Sequence, residues 1–324
     1  MLPFQARPSG FLVLGRAGMD LYADPPGSRA EQAGRFAAAL GGSAGNIAAG
    51  LARHGLPVSL LTCVSSDSVG RFVLNELAAY GVATRLVQVL GGESRTSLAV
   101  TETRIQDTQN TLYRNNASDL LLSEEQVRAV PFRDFGALIL TGTALAASPS
   151  REATFLAMER ARAAGTLVVI DLDYRPYSWP SSLEASETYR AAVAASDLVI
   201  GNDDEFAVVA GGTHDDGRKL AAGLAGQKKT AVYKMGEKGS IVFDPDETFE
   251  TGIFPVAAIK PMGAGDAFMA SLMAAIAAGK SLRQAVLSGS AAAAMVVSRF
   301  GCAPAMPTPA ELEDFLTRNS APQD

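Results

Sequence analysis

Histidine and cysteine are almost missing from this chain, with two of each in 324 residues, and tryptophan occurs once. Cys63 and Cys302 lie far apart, and Cys63 falls in an apolar, strand-like run. A disulfide scaffold is therefore not expected, and a reducing, cytoplasmic setting is. His54 and His214 leave almost no raw material for a zinc site or a histidine-based triad. Long apolar runs are missing as well: none approaches the ~20 residues of a membrane span. The opening "MLPFQARPSGFLVLG" has neither the basic start nor the cleavage pattern of a signal peptide. Positive charge is outweighed, with 28 Lys and Arg against 34 Asp and Glu and a formal net charge of −6. Such a chain has no general attraction for nucleic acid or an anionic membrane, so any anionic ligand must be held by a local site.

What is present is a composition, 48% hydrophobic and 19% charged, that suits one large α/β unit or two smaller domains. "FLVLG" from Phe11 and "VSLLTCV" from Val58 read as buried strands. The stretch between them contains a helix from about Ala44 to His54, stopped by Gly55. From Ser123 onward the rhythm is regular, with strands "ALILTG", "LVVIDLD", "DLVIGN" and "TAVYKMG" separated by helical segments. Near-continuous apolar runs of this kind indicate a mostly parallel sheet covered by helices on both faces, with ligands beyond the C-terminal strand ends. Asp20, Asp171, Arg175, Asn202, Glu205, Lys234 and Gly236 all follow a predicted strand within a few positions. Residues from about 82 to 116 mix β-branched and polar residues, as half-covered strands do, and are read, together with residues from about 16 to 40, as a small β lid. Helix starts are marked by Ser123, Ser281 and Thr308, each three residues before Glu or Gln.

The chemistry concentrates in two glycine-rich stretches. In "IKPMGAGDAF", Gly263, Ala264 and Gly265 strip the side chains from one turn directly before Asp266 and a helical run. Bare N–H groups at a helix start form an anion site, and a carboxylate beside them suits a general base that takes a proton from an attacking hydroxyl. The same four residues also read as an ordinary tight turn with Asp266 as a helix cap. In "LGGSAGNIAAGLARHG", Gly42 stands where backbone meets ligand, and the Asn46 amide can both donate to and accept from sugar hydroxyls. Asp20 could accept from a diol, although an Asp after a strand is commonly a turn residue.

Together, in this order and at this separation, "GGSAGNIAAGLARHG" and "KPMGAGDAFMASLMAA" resemble the two signatures of the ribokinase-like (PfkB) family of carbohydrate kinases, and the resemblance extends over nearly the whole chain. It implies a single kinase domain over 1–324 with an inserted lid, ATP as donor and a small-molecule sugar as acceptor. Asp266 would be the base, with the Gly263, Ala264 and Gly265 amides as the anion hole. "NDDE" at Asn202 to Glu205 matches the family's magnesium and phosphate element, with Glu205 acting on Mg2+ through water. "KMGEKGS", with Lys234, Gly236 and Gly239, resembles the strand-turn near the nucleotide phosphates; without the family it is a plain hairpin. Lys260, Pro261 and Met262 depart from the Asp-Thr many members carry, which leaves a monovalent cation an option only. "DLDYRPYSW", "GNDDEF" and "SRFGCAPAMPT" resemble members acting on keto sugar acids. Asp171 is then a substrate residue, and Arg175 and Arg114 are the candidates for the substrate carboxylate. Each arginine also reads as a solvated or stem-packed surface residue. The lid's free strand edges offer a route to a homodimer.

Overall fold

Why the apolar runs become one sheet is visible from their partners in the computed structural model, which describes residues 4, 6–7, 10–103, 108–260 and 262–319. The described strands are β1 (Phe11–Leu14), β2 (Gly18–Asp24), β3 (Arg35–Gly41), β4 (Val58–Ser65), β5 (Val87–Leu90), β6 (Leu98–Thr101), β7 (Asn110–Tyr113), β8 (Ala137–Thr141), β9 (Leu167–Asp171), β10 (Leu198–Asn202), β11 (Thr230–Lys234), β12 (Ser240–Phe243) and β13 (Thr248–Thr251). The described α-helices are α1 (Ser43–Arg53), α2 (Ser68–Ala79), α3 (Glu124–Arg128), α4 (Ser150–Ala163), α5 (Ser182–Ala194), α6 (Asp203–Ala210), α7 (His214–Ala225), α8 (Ala264–Ala277), α9 (Leu282–Val297) and α10 (Pro309–Arg318).

Nine strands form the large sheet in the order β13-β12-β11-β10-β9-β8-β1-β4-β5, parallel from β11 to β5 and antiparallel at β12 and β13. The period of two along each strand divides its side chains between two cores. Leu12, Leu14, Leu138, Leu140, Val168 and Ile170 pack under α3 to α7. Phe11, Val13, Ala137, Ile139, Leu167 and Val169 pack under α1, α2, α8 and α9. Because both faces are buried, these strands are largely apolar, and each fully buried Leu or Ile contributes about 1.5–3 kcal/mol.

The direction of winding reverses at β1, which has β4 on one side and β8 on the other. In open α/β sheets a crevice forms beyond the strand ends at such a point. A second sheet, ordered β3-β2-β6-β7, is inserted there, between β1 and α1 and between β5 and β8.

One expectation is corrected. The second lid segment, from 82 to 116, includes Val87–Leu90, and this strand pairs in parallel with β4 and extends the large sheet. An edge strand is solvated on one side, so its mixed pattern imitates a lid strand. Residues 104–107 of the same segment, and Pro261, lie outside the described residues.

The capping signals at Ser123, Ser281 and Thr308 each form a reciprocal capping box. Asn202 with Glu205 and Thr213 with Asp216 form two more. Helices α1 and α8 begin differently, at Gly42 and Gly263, with φ of 81° and 83° and no side-chain cap. A Cβ at Gly42 would stand 2.5 Å from the Arg16 carbonyl oxygen, so the turn excludes a side chain on steric as well as dihedral grounds.

Candidate active site

The site is assembled where α1 meets α8. A Cβ added to Gly50 would lie 2.6 Å from the Ala270 Cβ, so glycine at this position lets the two helices approach closely. One helical turn earlier on each helix stand Asn46 and Asp266, and Asn46 Nδ2 donates to Asp266 Oδ2 at 2.8 Å. The amide is thereby oriented, and its Oδ1 is buried with no protein partner. An orphaned acceptor in a cleft wall suits a hydroxyl-bearing ligand.

A cleft of about 490 Å³ brings together Asp20, Gly42, Asn46, Asp171, Arg175, Asn202, Glu205, Lys234, Gly263, Ala264, Gly265 and Asp266. Three expected residues stand outside its lining. Arg114 is held by a buried ion pair with Asp119 and by the Thr143 carbonyl at 3.0 Å. Gly236 and Gly239 shape the turn that presents Lys234: φ is 86° at Gly239, where a Cβ would meet the Thr251 carbonyl oxygen. A wider opening of about 950 Å³ shares Arg175, Asn202 and Glu205 but is otherwise lined mainly by α5, α6 and the start of α7. It does not include Asp266 or the α8 N-terminus, so the smaller cleft holds the convergent chemistry.

Charge in this cleft is arranged in opposition. The Lys234 Nζ lies 3.5 Å from where a Gly265 Cβ would be, which places an ammonium beside the uncapped α8 start. Both features attract an anion. Around them Asp171, Asp173, Glu205 and Asp266 converge. Burial, reinforced by the charge of Asp173, pushes the Asp266 carboxyl up to about 7, while the Asn46 hydrogen bond and Arg175 pull the other way. Burial likewise raises Asp171 and Glu205, with Lys234 as the leading counterweight to each. Glu205 accepts backbone N–H groups on both oxygens, from Asn202 at 2.7 Å and Tyr174 at 3.3 Å. That leaves it suited to acting on a metal through bound water. Asp203, Asp204 and His214 also approach one another, but at the surface and outside the cleft lining.

Sequence reasoning missed Arg16, Ser43, Asp173, Tyr177 and Cys302, all of which line the cleft. Asp173 was findable, two residues past Asp171 at one strand end. It accepts from Ser43 Oγ and pairs with Arg175 at 2.6 Å. Cys302 comes from the far end of the chain, and its Sγ lies 2.9 Å from where a Gly263 Cβ would be. Tyr22 Oη is within reach of both Asp20 Oδ2 at 3.1 Å and Cys302 Sγ at 3.2 Å. Lys260, 5% exposed, donates to the Met262 carbonyl at 2.7 Å.

A raised carboxylate lining a cleft, next to bare helix N–H groups and an ammonium, is the equipment of a phosphotransferase acting on a small alcohol. The chain belongs to the pfkB family of carbohydrate kinases, whose description, "pfkB family carbohydrate kinase", matches residues 10–309. Among curated relatives, "5-dehydro-2-deoxygluconokinase" of Photobacterium profundum is 42% identical over 317 residues, 96% of each chain. A solved fructokinase double mutant from Vibrio cholerae O395, in a fructose, ADP and potassium ion bound form, superposes with a TM-score of 0.84 at 24% identity, over 96% of this chain and 100% of that one. A putative ribokinase II from E. coli in complex with ATP and Mg2+ gives 0.85 at 22% identity, over 96% and 99%. The expected ribokinase-like α/β fold is thus the observed one. Among the described residues no helix is long and apolar enough to cross a membrane.

Proposed function

We propose that this carbohydrate kinase transfers the γ-phosphoryl group of ATP to a primary hydroxyl of 5-dehydro-2-deoxy-D-gluconate, a keto sugar acid of myo-inositol breakdown, in the cytoplasm. The observation that carries the chemistry is the Asn46–Asp266 pair at the uncapped start of α8. The substrate assignment rests on the 42% identity to a relative of that name.

Asp266 accepts the hydroxyl proton as the oxygen attacks phosphorus. The Gly263, Ala264 and Gly265 N–H groups and the Lys234 ammonium stabilise charge on the transferring group, and ADP leaves. Asn46 Oδ1 and Asp20 accept from sugar hydroxyls, while Gly42 keeps the α1 turn open to the ligand. Arg175, whose charge is felt by Asp266 and Glu205, serves the phosphoryl end. Asn202, Asp171 and Glu205 would hold Mg2+, Glu205 through bound water, and the ion would supply neutralisation of phosphate charge. The donor set fits: oxygen ligands only, in an acidic wall. The second sheet closes over the sugar and excludes water, which would otherwise compete for the phosphoryl group. Its exposed Phe36 and Tyr113 favour pairing of two copies through the same sheet, which sedimentation analysis by ultracentrifugation would test.

The test is ADP release over a panel containing 5-dehydro-2-deoxygluconate, 2-keto-3-deoxygluconate, fructose and ribose. Release with the first is expected. A preference for the second or for the neutral sugars would reassign the substrate, and nucleotide binding without turnover on any of them would make the chain a regulator.

A further inference from the structure

Arg16 is a cation of the cleft without an ion-pair partner among the described residues. It follows β1 closely, and its backbone is clamped: its carbonyl accepts from Gly45 N–H at 3.2 Å and abuts Gly42. The side chain lines the cleft, its Nε is buried without a hydrogen-bond partner, and among the described residues no carboxylate pairs with it. The other two arginines proposed for an acidic substrate are already engaged, Arg175 with Asp173 at 2.6 Å on the side of Glu205 and Asp266 and Arg114 with Asp119 outside the cleft lining. A guanidinium turned toward a cleft with its donors unused carries a desolvation cost that an arriving anion would offset.

The nucleotide phosphates have their own cations in Lys234 and Arg175, which stand with Glu205 and Asp266. Arg16 stands instead with Asp20, whose burial-raised carboxyl it pulls back more than any other group does. Both belong to the segment that leads from β1 into the second sheet, far in sequence from the α8 turn. A linear sugar acid phosphorylated at one end needs a seat for its carboxylate that is separate from the phosphoryl seat; a neutral sugar does not.

We infer that Arg16 receives the carboxylate of the acceptor by a forked, charge-assisted contact and so selects sugar acids over neutral sugars. This rests on the sugar-acid kinase reading above. The test is steady-state kinetics of the full chain and its Arg16→Met and Arg16→Lys variants, with 5-dehydro-2-deoxygluconate and with fructose, alongside calorimetric ATP binding. Loss of a contact to a charged group predicts a rise in KM for the acid of about 10- to 100-fold in Arg16→Met. The constant for fructose, kcat and ATP affinity should stay near wild type. Arg16→Lys, which keeps the charge and loses the fork, should fall between. An acid preference that survives in Arg16→Met, or an equal rise for fructose, overturns the inference and leaves the kinase reading intact. A wild-type enzyme without preference for the acid overturns both.

Discussion

Gly50 and Ala270 touch where a side chain added at the glycine would keep α1 from α8, and the Asn46–Asp266 hydrogen bond lies one turn above that contact. Packing density and the geometry of the Asn46–Asp266 pair are therefore one property at this crossing. Gly50→Val should cost about 1–3 kcal/mol through overpacking, and more of its effect should appear in kcat than in ATP affinity. Thermal unfolding and calorimetry read the two separately. A variant that is destabilised yet turns over normally would show that the crossing serves the fold alone.

Asp266→Asn should bind ATP and lower kcat by about 10²–10⁴-fold, the usual contribution of a positioned base. The wild-type kcat/KM should fall with acid below a limb near pH 7, where the free carboxyl titrates. The stability effect has the opposite sense. A carboxyl raised from 3.8 to about 7 by folding favours the folded state fully below its unfolded value, and that contribution is lost as pH rises through the folded one. At pH 8 the asparagine variant, freed of a buried charge, should therefore melt at a higher temperature than wild type.

The acid limb should also move when its neighbours change. Asp173 raises Asp266 and Arg175 lowers it. Asp173→Asn is expected to shift the limb of kcat/KM to lower pH and Arg175→Met to shift it higher. Movement of both variants in the same direction would mean that Asp266 is not the titrating group.

Lys260 holds the Met262 carbonyl, and in a planar trans peptide the Gly263 N–H then points the opposite way. Lys260→Met should release that peptide and lower kcat by about tenfold, the worth of one hydrogen bond to a charged donor. Since a buried ammonium is itself costly, the melting temperature should hold or rise. A fall in stability without loss of turnover would assign the lysine to the fold.

The strands were legible because burial on both faces leaves unbroken apolar runs, and the start of α8 because small residues ahead of a helical run mark a turn without a side-chain cap. Val87–Leu90 was misread since an edge strand and a lid strand are wetted alike. Arg114 looked free because the sequence does not reveal that Asp119, five residues on, folds back to neutralise it. Cys302, Lys260 and the Gly50–Ala270 contact carry no local signal: their meaning arises only when segments from the two ends of the chain are brought together.

The insertion of the second sheet just after β1 separates two kinds of inheritance. Arg16 and Asp20 lie on the segment that enters this sheet, whereas the Gly263–Asp266 turn and Lys234 are built from the far end of the chain. On the proposed roles, changes to side chains of the first segment would retune which alcohol is admitted without altering the residues of the α8 turn, so one scaffold could diversify its diet without relearning its reaction.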